Sequence, residues 1–160
     1  MKRHPALIPL SQDHHKALLL AQLLKRNAPE YHGLPKDLIG KMNFAKEIYH
    51  TELEHHFKDE EDFVFPYLKG KDVELDTLIS QILNEHIILK EKILSLVDNP
   101  NLVDHLDEIG NILNEHIRKE ERVLFEKAQT ILSEDELKII ENKFHESRHK
   151  NKSCLTNKLN

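Results

Sequence analysis

Apolar residues recur along this chain at helical spacing over four long stretches, separated by short clusters of Pro, Gly and Asn. Spacing of i, i+3, i+4 and i+7 is that of a helix buried on one side. Ser11, just after Pro9, reads as the cap of a first helix over about residues 12–27, and Pro29, Gly33 and Pro35 form the loop after it. A second helix is expected over about 36–65, stopping at Pro66. A third is expected over 73–97, before Pro100, and a fourth over 102–130. Ser133, with Glu136 three residues on, forms a capping box that opens a shorter fifth helix to about His149. Residues 151–160 read as a flexible tail. No alternating β-branched run marks a strand. The expected fold is all-α, an antiparallel up-down four-helix bundle with a short fifth C-terminal helix, in one domain over residues 1–150.

Length and charge narrow the function. At 160 residues the chain can bury one sizeable core without covalent staples. The single Cys154 excludes a disulfide scaffold and a Cys-based zinc knuckle. Lys and Arg number 23 against 28 Asp and Glu, a net charge of -5, so nucleic acid is not an expected partner. No apolar run approaches the ~18 residues a membrane helix needs. Pro5 and Pro9 break the apolar stretch after Met1, no signal peptide is read, and a cytoplasmic location is expected. Twelve His in a chain with four Gly and no Trp is the unusual feature. Histidine is the commonest metal ligand.

Helical wheels place those histidines. On the second helix His56 and Glu60 lie one turn apart in the middle of the apolar face, among Ala45, Tyr49, Leu53 and Phe63, with His50 and His55 off it. On the fourth, His116 and Glu120 lie among Ile109, Ile112, Leu113 and Val123. On the third, His86 joins Leu75, Ile79 and Leu83. The first helix is apolar nearly all round; its wheel favours His14 over His15, and both stand as candidates. The second and fourth helices also echo one another, His56-x-x-x-Glu60-Glu61 by His116-x-x-x-Glu120-Glu121, and Asn84-Glu85-His86-Ile87 recurs as Asn114-Glu115-His116-Ile117. A carboxylate buried without a partner is costly enough to take up a proton instead. Two such Glu and four such His at matching depths are accounted for by a pair of metal ions, each Glu bridging and each ion taking two His. Mixed imidazole and carboxylate donors suit iron, with manganese or zinc as alternatives.

These residues carry a family resemblance. Asp13-His14-His15-Lys16-Ala17-Leu18, then His56-x-x-x-Glu60-Glu61 running to Phe65-Pro66, then Glu85-His86, then His116-x-x-x-Glu120-Glu121, resemble the hemerythrin-like, or HHE cation-binding, domain over about residues 10–129. The resemblance implies a four-helix bundle holding two iron ions joined by an oxo or hydroxo bridge, which meet a small ligand such as O₂, NO or peroxide. It carries over as His14, His56, Glu60, His86, His116 and Glu120. Two departures set the chain apart from the oxygen carriers of that family. Lys90 stands where they have a second His on the third helix, and Glu120 lies four residues past the last His where they have an Asp five past it. The set then resembles the catalytic domain of the iron-centre repair proteins, without their Cys-containing domain. Binding without turnover and redox catalysis both remain open, and no protein partner is identified.

Other readings compete at single residues. A metal-free bundle with a buried His–Glu hydrogen-bond network uses the same positions, and the Lys90 ammonium is a candidate to pair with one of the Glu. Glu61 and Glu121, about 140° from the His on a regular wheel, read as solvated or touching the ligands from outside. His105, roughly 16 Å along the axis from His116, is too far to join the site and reads as structural. His145-Glu146-Ser147-Arg148-His149 matches a zinc-protease motif, but its two His continue a polar row and no third ligand follows. A ferritin-type site would use Glu-x-x-His, the reverse order. Ile79, Leu83, Leu113 and Tyr49 are expected to line the pocket.

Overall fold

The structure, a computed structural model, describes residues 2–156, with side chains through residue 149. It is all-helical, with no strand among the described residues. A 3-10 turn, Pro5–Leu7, leads into α1, Ile8–Leu24. The start is earlier than Ser11 because Pro9 falls in the first turn, where no backbone N–H is required. The imidazole Nδ1 of His4 caps the preceding turn, accepting from the Ala6 N–H at 3.1 Å. α2 covers residues 38–68 without a break, capped by Asp37, whose carboxylate accepts from the Gly40 N–H at 2.7 Å. α3 is Val73–Leu94, capped by Asp72, and α4 covers residues 102–131. α5, Glu134–Thr156, opens with the expected reciprocal box between Ser133 and Glu136. At 23 residues it is not short, and it carries helix through much of the expected tail; residues 157–160 lie outside the described residues.

Two long helices are not regular. α2 contains π turns at Tyr49–Leu53 and Glu60–Val64, and α4 contains one at Glu120–Leu124. The Phe65 N–H closes the second turn on the Glu60 carbonyl, and the Phe125 N–H closes the third on the Glu120 carbonyl. Pro66 therefore falls in the first turn of a fresh helical segment that begins at Phe65, where its missing N–H costs little, and α2 runs on to Leu68. The wide turns also rotate everything after them. Five residues in a regular helix advance by about 140° beyond a full turn. An i to i+5 turn instead stacks Phe65 beneath Glu60 and Phe125 beneath Glu120. Phe65 and Phe125 are buried, while Val123, expected inward, is 40% exposed and Phe63 only half-buried.

The apolar core is divided into two slabs. One gathers Leu7, Leu10, Val64, Phe65, Leu75, Ile79, Leu124, Phe125 and, from α5, Leu137, Ile140 and Phe144. The other gathers Ala17, Leu20, Tyr49, Leu53, Phe57, Leu89, Ile93, Ile109 and Leu113. α1 and α3 pass from the first slab to the second, and α2 and α4 pass back. α1 packs most extensively on α4. Gly110 permits that approach, since a Cβ there would sit 2.7 Å from the Ala21 carbonyl oxygen. No helix is long and apolar enough to cross a membrane among the described residues.

Candidate metal centre

Between the slabs lies a polar layer. The buried polar side chains of the described residues are His14, His56, Asp59, Glu60, His86, Asn114, His116 and Glu120. Six of the seven positions expected at a metal are among them. The seventh, His15, is exposed, so α1 turns His14 inward and His15 out. His105 is also exposed, because Leu102, Leu106 and Ile109 take the centre of that face of α4 and leave it at the edge.

The Nε2 atoms of all four rings converge on Glu60 and Glu120. His14 Nε2 lies 3.1 Å from Glu120 Oε2, His116 Nε2 3.0 Å from Glu120 Oε1, and His86 Nε2 3.3 Å from Glu60 Oε2. His56 Nε2 is 3.8 Å from Glu60 Oε1 and 3.1 Å from His14 Nε2. Close as they are, both oxygens of Glu60, both of Glu120, and the Nε2 atoms of His86 and His116 have no aligned hydrogen-bond partner. An orphaned buried polar atom typically costs about 1–3 kcal/mol, and more when charged. Six in one layer are not the marks of a satisfied hydrogen-bond network. They are donors facing a common centre. Grouped by mutual distance they form two sets, His14, His56, Glu60 and Glu120, and His86, His116 and Glu120. Each set can hold a metal ion, and Glu120 belongs to both.

Every ring is held from behind by a carboxylate on its Nδ1. His14 pairs with Glu121 at 2.6 Å, His56 with Asp13 at 3.2 Å, His86 with Glu61 at 2.8 Å and His116 with Glu85 at 2.9 Å. A carboxylate at Nδ1 fixes the tautomer that leaves Nε2 free as a donor to metal. Glu61 and Glu121 thus touch the rings from outside. Asp13 and Glu85 do the same, and each directly precedes a candidate His in the sequence. Asp13-His14 on α1 matches Glu85-His86 on α3, as His56-x-x-x-Glu60-Glu61 on α2 matches His116-x-x-x-Glu120-Glu121 on α4. The rings that cover the histidines escaped the regular wheel. Phe57 stacks on His86 with centroids 4.0 Å apart, and Phe125 stacks on His14 at 5.7 Å. Of the expected lining, Ile79, Leu113 and Tyr49 are buried and Leu83 is half-buried, on either side of the layer.

The electrostatics follow from this crowding. Burial alone would push the His14 ring down; the carboxylates of Glu120 and Glu121 outweigh it and hold its pKa at about 10. His86 is raised to about 10 against the same burial by Glu120 and Glu60, and His116 to about 9, chiefly by Glu120. Burial would raise Glu120, yet His116, His14 and His86 hold it well below the usual carboxylate range. Likewise Glu121 is brought down to about 2 by His14, Ser11 and Arg3, and Asp13 to about 2 by His56 and Arg148, in each case against burial. A layer that stabilises this much positive charge on its rings is suited to a cation.

Lys90 is exposed and pairs with neither Glu60 nor Glu120 among the described residues. It lines a surface pocket of about 390 Å³ between α2 and α3 that reaches His86. His145 and His149 are exposed on α5 and join no group of metal-ligating side chains among the described residues. No curated protein and no solved structure matches this chain. The hemerythrin HHE cation binding domain matches residues 9–128, which span all six converging side chains and all four of their carboxylate supports. On that match, and with a buried layer of histidine and glutamate fitted to cations, the chain belongs to the hemerythrin HHE cation-binding family.

Proposed function

We propose that this protein is a non-haem di-iron protein that binds or reacts with a small ligand, O₂, NO or peroxide, at an open iron position. The alternating passage of α1 to α4 between the two slabs supports an antiparallel four-helix bundle as the frame. His14 and His56 would hold one ion and His86 and His116 the other, with Glu120 and Glu60 between them. The observation that carries this reading is the orphaned layer, in which Glu60 and Glu120 present all four oxygens to converging Nε2 atoms and bond to none. Iron held there would supply a redox-active Lewis acid with room for one small molecule.

The chain's own residues do the rest. Asp13, Glu61, Glu85 and Glu121 keep the Nδ1 protons in place, so that each Nε2 stays available. Phe57, Phe65 and Phe125 pack against the rings and keep bulk water out of the layer.

Elemental analysis of protein produced with iron supplied tests the metal. Near two irons per chain is expected, falling below one in Glu120→Ala. One zinc, or no metal, would overturn the di-iron reading. Ferrous protein exposed separately to O₂, NO and peroxide should change its visible absorption with at least one of them. No change with any of the three would remove the ligand role.

A further inference from the structure

Three of the four carboxylates that hold the histidines are themselves held by a cation. Arg3 donates to Glu121 at 2.7 Å, behind His14. Arg148, from α5, grips both oxygens of Asp13 at 3.2 and 2.7 Å, behind His56. Lys119 pairs closely with Glu85, behind His116. Glu61, behind His86, has no such partner among the described residues; its only charged contact is the ring. It is also the most open of the four. Its side chain is 42% exposed, against 27% for Glu121, 21% for Glu85 and 14% for Asp13.

Two further observations fall on the same arm. The pocket between α2 and α3 is lined by both Glu61 and His86, so one of the converging rings borders a surface opening. The same ring belongs to the three-donor set, and its Nε2 is orphaned although the residue is only 4% exposed. A ring held by one half-exposed carboxylate with no cation behind it has a single charge-assisted contact to break before it turns away from the centre. A ring held by a carboxylate that is in turn fixed by a guanidinium must break two charge-assisted contacts to do so.

We propose that the two metal positions differ in lability, that the ion between His86 and His116 exchanges first through the pocket beside Lys90, and that Glu61 is the positioning residue that sets its rate. This rests on the di-iron reading and adds an order to it. His86 swings outward on Glu61, the ion passes Glu61 at the mouth, and the His14–His56 ion stays behind Arg3 and Arg148.

The experiment is release of ferrous iron from the fully loaded protein to an excess of a colour-forming ferrous chelator, followed by stopped-flow absorbance. Two phases of one iron per chain each are expected. Glu61→Gln should speed the fast phase by about tenfold or more, the scale typical for loss of a ligand's outer support, and leave the slow one unchanged. Arg3→Ala, which removes the cation from behind Glu121, should speed the slow phase instead. Circular dichroism of each variant checks that the helices are intact. A single phase, a Glu61→Gln rate equal to the parent's, or equal acceleration of both phases by either variant would overturn the proposal while leaving the di-iron reading standing. Loading of fewer than two irons in the parent would remove both.

Discussion

The π turns at Glu60 and Glu120 make a claim that a stability measurement can break. In a regular α4, Val123 would face the core and Phe125 would not; with the wide turn the two exchange places. Phe125 is fully buried and Val123 is 40% exposed. Phe125→Ala should therefore cost about 3–5 kcal/mol, the range for emptying a buried aromatic site. Val123→Ala should cost about 1 kcal/mol or less, as for a side chain largely in water. In a domain of this length each kcal/mol moves the melting midpoint by about 2–4 °C, so the first variant should melt roughly 6–20 °C lower and the second within a few degrees of the parent. Urea unfolding followed by circular dichroism, on metal-stripped protein so that ion binding does not enter, measures both. The Phe63→Ala and Phe65→Ala pair repeats the comparison on α2 in the same direction. Equal losses for Val123→Ala and Phe125→Ala would show that α4 is regular through Glu120, and the stacking of Phe125 on His14 would fall with it.

Three other perturbations test separate links. In metal-stripped protein, His14, His86 and His116 have pKa values raised to about 10, 10 and 9 against an ordinary 6.5. Their contribution to stability is then complete below pH 6.5 and is lost as pH rises through 9 to 10, whereas that of Asp13 and Glu121, lowered to about 2, is lost as pH falls below about 4. Thermal melts across pH should show both flanks, and a midpoint that does not fall between pH 7 and 10 would contradict the alkaline one. His15→Ala should keep the parent's metal content and His14→Ala should lose metal, as read by elemental analysis; equal content in the two would exchange their roles. Gly110→Leu forces side-chain atoms against the Ala21 carbonyl and should destabilise the fold by at least about 1–3 kcal/mol by urea unfolding, with no loss expected if α1 and α4 do not meet there.

Much of this arrangement is legible in the residues alone. Helical period, Pro and Gly punctuation and the Ser133 box place all five helices, and the wheels bring His56 and Glu60, His86, and His116 and Glu120 to their inner faces. Those positions are decided by patterning over many residues, which averages out local irregularity. The misreadings have local causes. Pro66 does not end α2 because a π turn absorbs it. Val123 and Phe125 change places because one wide turn shifts the phase of every later residue, and a wheel drawn at constant angle carries no sign of that. The roles of Asp13 and Glu85 are hidden because each supports a ring on the next helix, a contact that no single wheel displays. Their position just before His14 and His86 was the available signal. Arg3 and Arg148 are further still from reach, since the first lies before α1 and the second on a helix outside the slab-to-slab set.

The matching supports have a consequence for how such a chain could have arisen. α1 and α2 exchange contacts with α3 and α4 reciprocally, so that Glu121 serves His14 as Glu61 serves His86. Within each hairpin, Asp13 serves His56 as Glu85 serves His116. Such give-and-take is the pattern of two copies related by a twofold axis. A two-helix hairpin with an acid-His pair on one helix and His-x-x-x-Glu-Glu on the other contains every element of the layer, but cannot complete it without a twin. Joining two such hairpins in one chain removes the need to find that twin. It also frees each half to diverge, and Arg3 behind Glu121 against the bare Glu61 is where the halves no longer agree.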